Sequence, residues 1–156
     1  MRCRGKLCSY DKHQLLDADA RVKKDGHGES GFFNIMSETY HRVVRASDVE
    51  EKAMLPFVVN RWPLFICRED GTIHALVNRC THAAAVLAPG GKVRRGSVMC
   101  PLHGARFKLD NGECLGGAGY KPLKLFPWRV TDDGWIEVAV PDEAPGMEHL
   151  PVKALV

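Results

Sequence analysis

The sequence predicts an all-β protein, an antiparallel β-sandwich or barrel. Three observations carry that expectation. From Tyr40 onward the pattern is mainly short runs of apolar, β-branched and aromatic residues. Those runs recur at near-regular spacing. They are separated by tight-turn signals: Asp-Gly at 70–71, Asn-Gly at 111–112 and Asp-Gly at 133–134. Short strands at even spacing, joined by such turns, pack as sandwiches or barrels.

The elements follow in order. Residues 40–46 read as the first strand. Ser47-Asp48-Val49-Glu50-Glu51 reads as a helical turn, with Ser47 as its cap and acids in the first turn. Residues 56–60 and 64–68 form two short apolar strands separated by Arg61-Trp62-Pro63. Asp70-Gly71 turns the chain into a strand over 72–77. Pro89-Gly90-Gly91 punctuates the next stretch, and 97–99 is a short strand. Residues 105–109 form another strand, turning at Asp110-Asn111-Gly112. Residues 123–130 and 135–140 make a final hairpin across Thr131-Asp132-Asp133-Gly134.

Outside this block the sequence changes character. Residues 1–35 are rich in charge and glycine and show no sustained period, so a flexible or disordered N-terminal extension is expected. Met36 opens the domain-like sequence, and one expectation is that the natural chain begins there. Residues 142–156 carry Pro145 and Pro151 and read as an irregular C-terminal tail. A chain of 156 residues fits one domain, or one domain with a tail, and 45% apolar content supports a core. No window approaches the length of a membrane-spanning helix. The N-terminus lacks the apolar stretch of a secretory signal. Net charge is +3, and the chain is near neutral from Met36 onward, which argues for neither nucleic acid nor an anionic membrane as partner. Lys92, Arg94 and Arg95 make a small basic spot that reads as a solvated loop. A cytoplasmic protein is expected.

The chemistry lies in two short motifs, Cys80-Thr81-His82 and Cys100-Pro101-Leu102-His103, with seventeen residues between them. Each supplies one thiolate and one imidazole. That donor set suits a two-iron, two-sulfide centre in which two Cys hold one iron and two His hold the other, so the two loops must face each other. The competing reading is a structural zinc ion. Its usual halves are Cys-x-x-Cys and His-x₃-His, whereas here each half mixes the two residue types. Of the other cysteines, Cys67 lies in an apolar run and reads as a buried thiol, and Cys114 reads as a surface thiol after a turn. Nothing forms a secreted disulfide framework.

The flanking residues, N-R-C-T-H from Asn78 and C-P-L-H-G-A-R-F from Cys100, resemble the Rieske [2Fe–2S] family, specifically the small ferredoxins that feed aromatic-ring dioxygenases. The resemblance spans roughly residues 40–140, and 36–141 is the domain it implies. It implies a Rieske-like β-sandwich or barrel with a cluster-binding subdomain inserted as two ligand loops. It also implies one cluster per chain, held by Cys80, His82, Cys100 and His103. Residues 116–122 lie where the family's Pro-containing loop covers the cluster. Leu102 is expected to shield the cluster from water. Respiratory members carry an extra Cys in each loop, and a Ser and a Tyr that hydrogen-bond the cluster. The matching positions here are Ala85, Leu102, Ala105 and Phe107, none of which makes such bonds. A potential at the low end of the Rieske range, roughly −150 mV, is therefore expected.

The function implied is one-electron transfer from an NAD(P)H-dependent flavoprotein reductase to a ring-hydroxylating terminal oxygenase. The chain is then a component of a dioxygenase system rather than a catalyst by itself, and a monomer. It has no G-x-G-x-x-G after a strand to bind the nicotinamide. It also has no room for a separate mononuclear iron domain. The alternative is the small Rieske subunit of an assimilatory NAD(P)H nitrite reductase or another multi-subunit oxidoreductase. A third possibility is a clusterless module with the same fold. An apolar ring of Ala83, Ala84, Ala85, Leu87 and Leu102 is expected around the two His as a transient docking surface.

Overall fold

The computed structural model describes residues 38–117 and 121–152. The expected N-terminal extension, Ala118–Tyr120 of the expected covering loop, and the last four residues of the C-terminal tail lie outside them. Ten strands follow one another: β1 (Glu38–Arg45), β2 (Met54–Val59), β3 (Trp62–Glu69), β4 (Thr72–Val77), β5 (Lys92–Arg94), β6 (Ser97–Met99), β7 (Arg106–Lys108), β8 (Cys114–Gly116), β9 (Trp128–Val130) and β10 (Trp135–Pro141). They form three antiparallel sheets, ordered β1-β10-β9, β2-β3-β4 and β5-β6-β7-β8. The all-β antiparallel expectation holds. Among the described residues no helix is long and apolar enough to cross a membrane.

Three tight hairpins set the register. Asn60-Arg61 has φ of 45° and 70°, Asp70-Gly71 has 51° and 78°, and Arg95-Gly96 has 53° and 69°. Positive φ at both central positions is the type I′ turn, whose twist matches that of paired strands. Only the Asp-Gly member was legible beforehand. The Asn60-Arg61 turn takes two residues, not three, so Trp62 and Pro63 belong to β3. Residues 92–94 pair with β6 as β5, so the basic spot stands on a hairpin. Cys114 lies half-buried on β8 rather than at the surface.

Two other expectations change. The helical turn after β1 is a three-residue 3-10 turn, Ala46–Asp48, with Ser47 inside it and no side-chain cap. Ala46 N–H is drawn to Gly134 O at 2.9 Å, and Glu51 pairs with Arg68 in a β-bridge, so no helix can propagate. The long strand expected over 123–130 is regular only at β9. Pro122 and Pro127 bracket its first half, where the chain makes isolated bonds to β4: Val77 N–H to Lys124 O and Phe126 N–H to Ala75 O, both 2.9 Å.

β3 is the central strand of its sheet, and Leu64, Phe65, Ile66 and Cys67 on it are fully buried. They join Leu76, Leu87, Val98, Phe107, Ile136 and Val138 in one core drawn from all three sheets. Among the described residues Cys67 has no disulfide partner, and burial pushes its thiol up to about 12. Glu69 is buried on the same strand, and its carboxylate accepts Gly96 N–H at 2.6 Å. That bond ties the β5–β6 turn to the sheet beneath it. Truncating Phe65 to Ala should cost about 3–5 kcal/mol, since the buried ring leaves a cavity that strand neighbours cannot fill. Urea unfolding of the variant measures this, and a loss below about 1 kcal/mol would contradict the central role of β3.

Candidate metal centre

Both motifs sit in loops delivered by hairpin strands. The first loop leaves β4 and reaches β5, and the second joins β6 to β7. The two loops use one backbone pattern. Cys80 N–H donates to Ala85 O at 2.8 Å, and Ala84 N–H donates to Cys80 O at 3.1 Å. Cys100 N–H donates to Ala105 O at 2.8 Å, and Gly104 N–H donates to Cys100 O at 3.2 Å. The fifth residue of each turn is left-handed: Ala84 at φ 55° and Gly104 at φ 70°. Glycine adopts this conformation without cost in the second loop, whereas alanine carries strain in the first.

These turns place the donors as two pairs. Cys80 and Cys100 are 1% and 2% exposed, and their thiols lie within hydrogen-bonding reach of each other. Burial, the largest influence, pushes the Cys80 thiol up, and the neighbouring Cys100 thiol pushes the same way. The N–H groups of His82 and Ala83 donate to the Cys80 sulfur and partly offset this. His82 and His103 stack edge to face, with ring centroids 4.8 Å apart and planes at 78°. His82 is half-buried and His103 exposed. Among the described residues no three His, Cys, Asp or Glu side chains converge on one point. A single tetrahedral ion takes all four donors at one point, whereas two buried thiols beside two outward imidazoles match a two-iron centre, one pair per iron.

The surroundings were less legible. Asn78, which the sequence marks only as part of the motif, is buried and bridges the ends of the first loop. Its side-chain oxygen accepts Leu87 N–H and Ala88 N–H, both at 2.8 Å, and its amide donates to Ala88 O at 3.2 Å. Gly91 comes so close to the loop that an added Cβ would lie 2.5 Å from Leu87 O. Gly117 also lies close to the second loop, where a Cβ would meet Ala105 Cα and Gly104 O at 3.0 Å, so it packs on the second motif through backbone. The C-terminal segment also reaches the site, with Arg79 Nε donating to Leu150 O and Val152 N–H donating to Ala84 O, both at 2.9 Å. No sequence signal marked that contact.

The expected apolar ring is only partly present. Ala84, Ala85 and Leu87 pack beneath the loop. Ala83 is exposed, as are Val86 at 47% and Leu102 at 59%, so these three are apolar side chains at the surface of the two loops.

The Rieske [2Fe–2S] domain family matches residues 39–127. The ferredoxin subunit of a 3-phenylpropionate/cinnamic acid dioxygenase from Photorhabdus laumondii is 38% identical over 74 residues, covering 47% of this chain and 70% of that protein. A chain from the complex of reduced oxygenase and oxidized ferredoxin in carbazole 1,9a-dioxygenase superposes with a TM-score of 0.59 at 28% identity, covering 64% of this chain and all of that one. A Mycobacterium tuberculosis protein described as an NADH-dependent nitrite reductase small subunit superposes with a TM-score of 0.59 at 24% identity, over 67% of this chain and 96% of that one.

Replacing Asn78 by Ala strips partners from two buried N–H groups and should cost about 1–3 kcal/mol. The variant should also hold less iron per chain than wild type. Urea unfolding and iron analysis read the two effects separately, and an unchanged value in both would show that the loop does not depend on this side chain.

Proposed function

The chain belongs to the Rieske [2Fe–2S] domain family and carries that family's cluster as its cofactor, and from this premise we propose that it is a one-electron carrier between an NAD(P)H-dependent flavoprotein reductase and a ring-hydroxylating terminal dioxygenase. Cys80 and Cys100 would hold one iron through their thiolates, and His82 and His103 would hold the other through their imidazoles. The bound cluster supplies reversible one-electron chemistry at a potential above that of all-thiolate clusters. The observation that carries the reading is the polarity of the donor set: thiols buried, imidazoles outward, at a tip where Ala83, Val86 and Leu102 are exposed. The dioxygenase ferredoxin subunit and the ferredoxin–oxygenase complex among the relatives support the choice of partners.

The chain's own groups set the properties of the site. The loop amides of His82 and Ala83 stabilise negative charge on the Cys80 sulfur. The buried Ala105 and Phe107 offer no hydroxyl near the second loop, so added negative charge is less stabilised than it would be beside Ser and Tyr. The exposed His103 and the half-buried His82 stand at the tip that a partner would approach. A monomer in the cytoplasm suits a diffusing carrier of this kind. The second reading, a fixed relay within a nitrite reductase, is favoured by the extent of the M. tuberculosis superposition. Stable co-purification with a sirohaem subunit would select it.

Three outcomes are expected. The dithionite-reduced protein should give a rhombic EPR signal with a lower average g than an all-thiolate cluster, and Cys80→Ala or His103→Ala should abolish it. The midpoint potential should fall near −150 mV, and a value above about +100 mV would contradict the absence of hydroxyl donors. Val86→Asp and Leu102→Asp should each slow reduction by the reductase about tenfold while leaving the visible spectrum intact. Wild-type rates in both variants would place docking elsewhere.

A further inference from the structure

Beside the first motif loop lies a cleft of about 270 Å³, bounded by Arg79, Thr81, Lys121 and Lys124 on one side and by Glu148 and His149 of the C-terminal segment on the other. The family match ends at residue 127, so the second wall lies outside the shared domain. Three cations line this cleft, and among the described residues none of them makes an ion pair; the ion pairs join Arg42, Lys108 and Arg129 to acids. Glu148, on the opposite wall, has its carboxylate 3.6 Å from His149 and is 70% exposed. Three cations facing one exposed carboxylate leave an excess of positive charge that opposes folding, and a bound anion relieves that repulsion.

Two of the cations are also held in place. Arg79 Nε is fixed on Leu150 O, which leaves the planar end of the guanidinium to present its other donors. Lys124 Nζ lies 5.5 Å from the Trp62 ring centroid and 5.7 Å from that of Phe126. Trp62 in turn packs against the His149 ring at 5.0 Å and donates from Nε1 to Glu143 O at 2.9 Å. One aromatic side chain therefore anchors both the lysine and the wall opposite it. His149 registers the local field: burial chiefly holds its pKa below the usual value, Glu148 opposes this, and Lys124 and Arg79 add to it. Pockets for drug-sized ligands run about 300–1,000 Å³, so this cleft suits something smaller.

We propose that this cleft is a receptor site for a small oxyanion bearing a carboxylate or phosphate group. Arg79, Lys121 and Lys124 supply the charge, and the C-terminal segment closes the site. Thr81 joins the cleft to the cluster loop, since it stands between Cys80 and His82 and donates from Oγ1 to Lys121 O at 2.9 Å. An anion held there opposes arriving negative charge. Occupancy then lowers the midpoint potential, and reduction weakens anion binding by the same factor. This coupling rests on the ligand assignment proposed above, whereas binding itself does not.

The test is calorimetric titration of the oxidised holoprotein with inorganic phosphate and, separately, with acetate, at constant ionic strength against chloride. At least one should bind more tightly than chloride, and the stronger identifies the preferred head group. The double substitution Lys121→Gln with Lys124→Gln should weaken that binding about tenfold or more, with the visible spectrum serving as the folding control. Lys92→Gln with Arg94→Gln, which removes two charges from the β5 hairpin, should leave it unchanged. Binding of neither probe above chloride, or equal loss in both double variants, overturns the site. If the anion binds but wild type shows the same midpoint with and without it, the site stands and the coupling to the cluster falls.

Discussion

Everything at the working end of this protein depends on holding two thiols out of water and against each other. Burial alone raises the cost of charging Cys80, and a second thiol alongside raises it further. Backbone N–H groups aimed at the sulfur offset part of that cost, and under the proposed assignment metal coordination by thiolate would supply the rest. The fold meets this demand by using one turn twice. Each Cys donates to the carbonyl five residues on and accepts from the amide four residues on, so both loops point their sulfurs inward and their imidazoles outward.

Such turns hold their shape only if their ends are fixed. The second loop is framed by β6 and β7, which pair directly. The first has no such frame, because it joins strands of two different sheets. It relies instead on the buried Asn78 side chain, on the close approach of Gly91, and on the C-terminal segment that reaches Ala84 O. The strained left-handed Ala84 stands where the second loop has glycine, so the less regular loop is also the one that carries strain and receives the most external ties. The buried Glu69, bonded to the β5–β6 turn, links the two arrangements through the sheet below.

The strand pattern and the site were legible to different depths. Asp70-Gly71 and the motif loops could be read because their chemistry is local: a left-handed turn wants glycine, and a metal wants thiolate and imidazole. Asn60-Arg61 and Arg95-Gly96 adopt the same turn with fewer cues, so β3 starts earlier than its apolar run implies and β5 escapes notice. Ser47 has the composition of a helix cap, but Ala46 is already committed to Gly134 across the sheet and Glu51 to Arg68, so there is no helix for it to cap. Alanine runs near a site say nothing about direction. Ala84 and Ala85 pack inward while Ala83 and Val86 face water, a distinction set by loop dihedrals rather than by residue type.

The sequence by itself determined the two Cys/His motifs, their division between two loops, the all-β class and the family to which they belong, because those follow from residue type and short spacing. Only the tertiary structure decided which residues support the first loop and what lies beside it. Asn78 acts through partners ten residues away, Arg79 through Leu150, and Lys124 through the Trp62 ring that also seats His149. Contacts of that range leave no period and no motif in the chain. They arise only when β-strands distant in sequence bring the C-terminal segment back across the first motif loop, which turns scattered cations into a cleft.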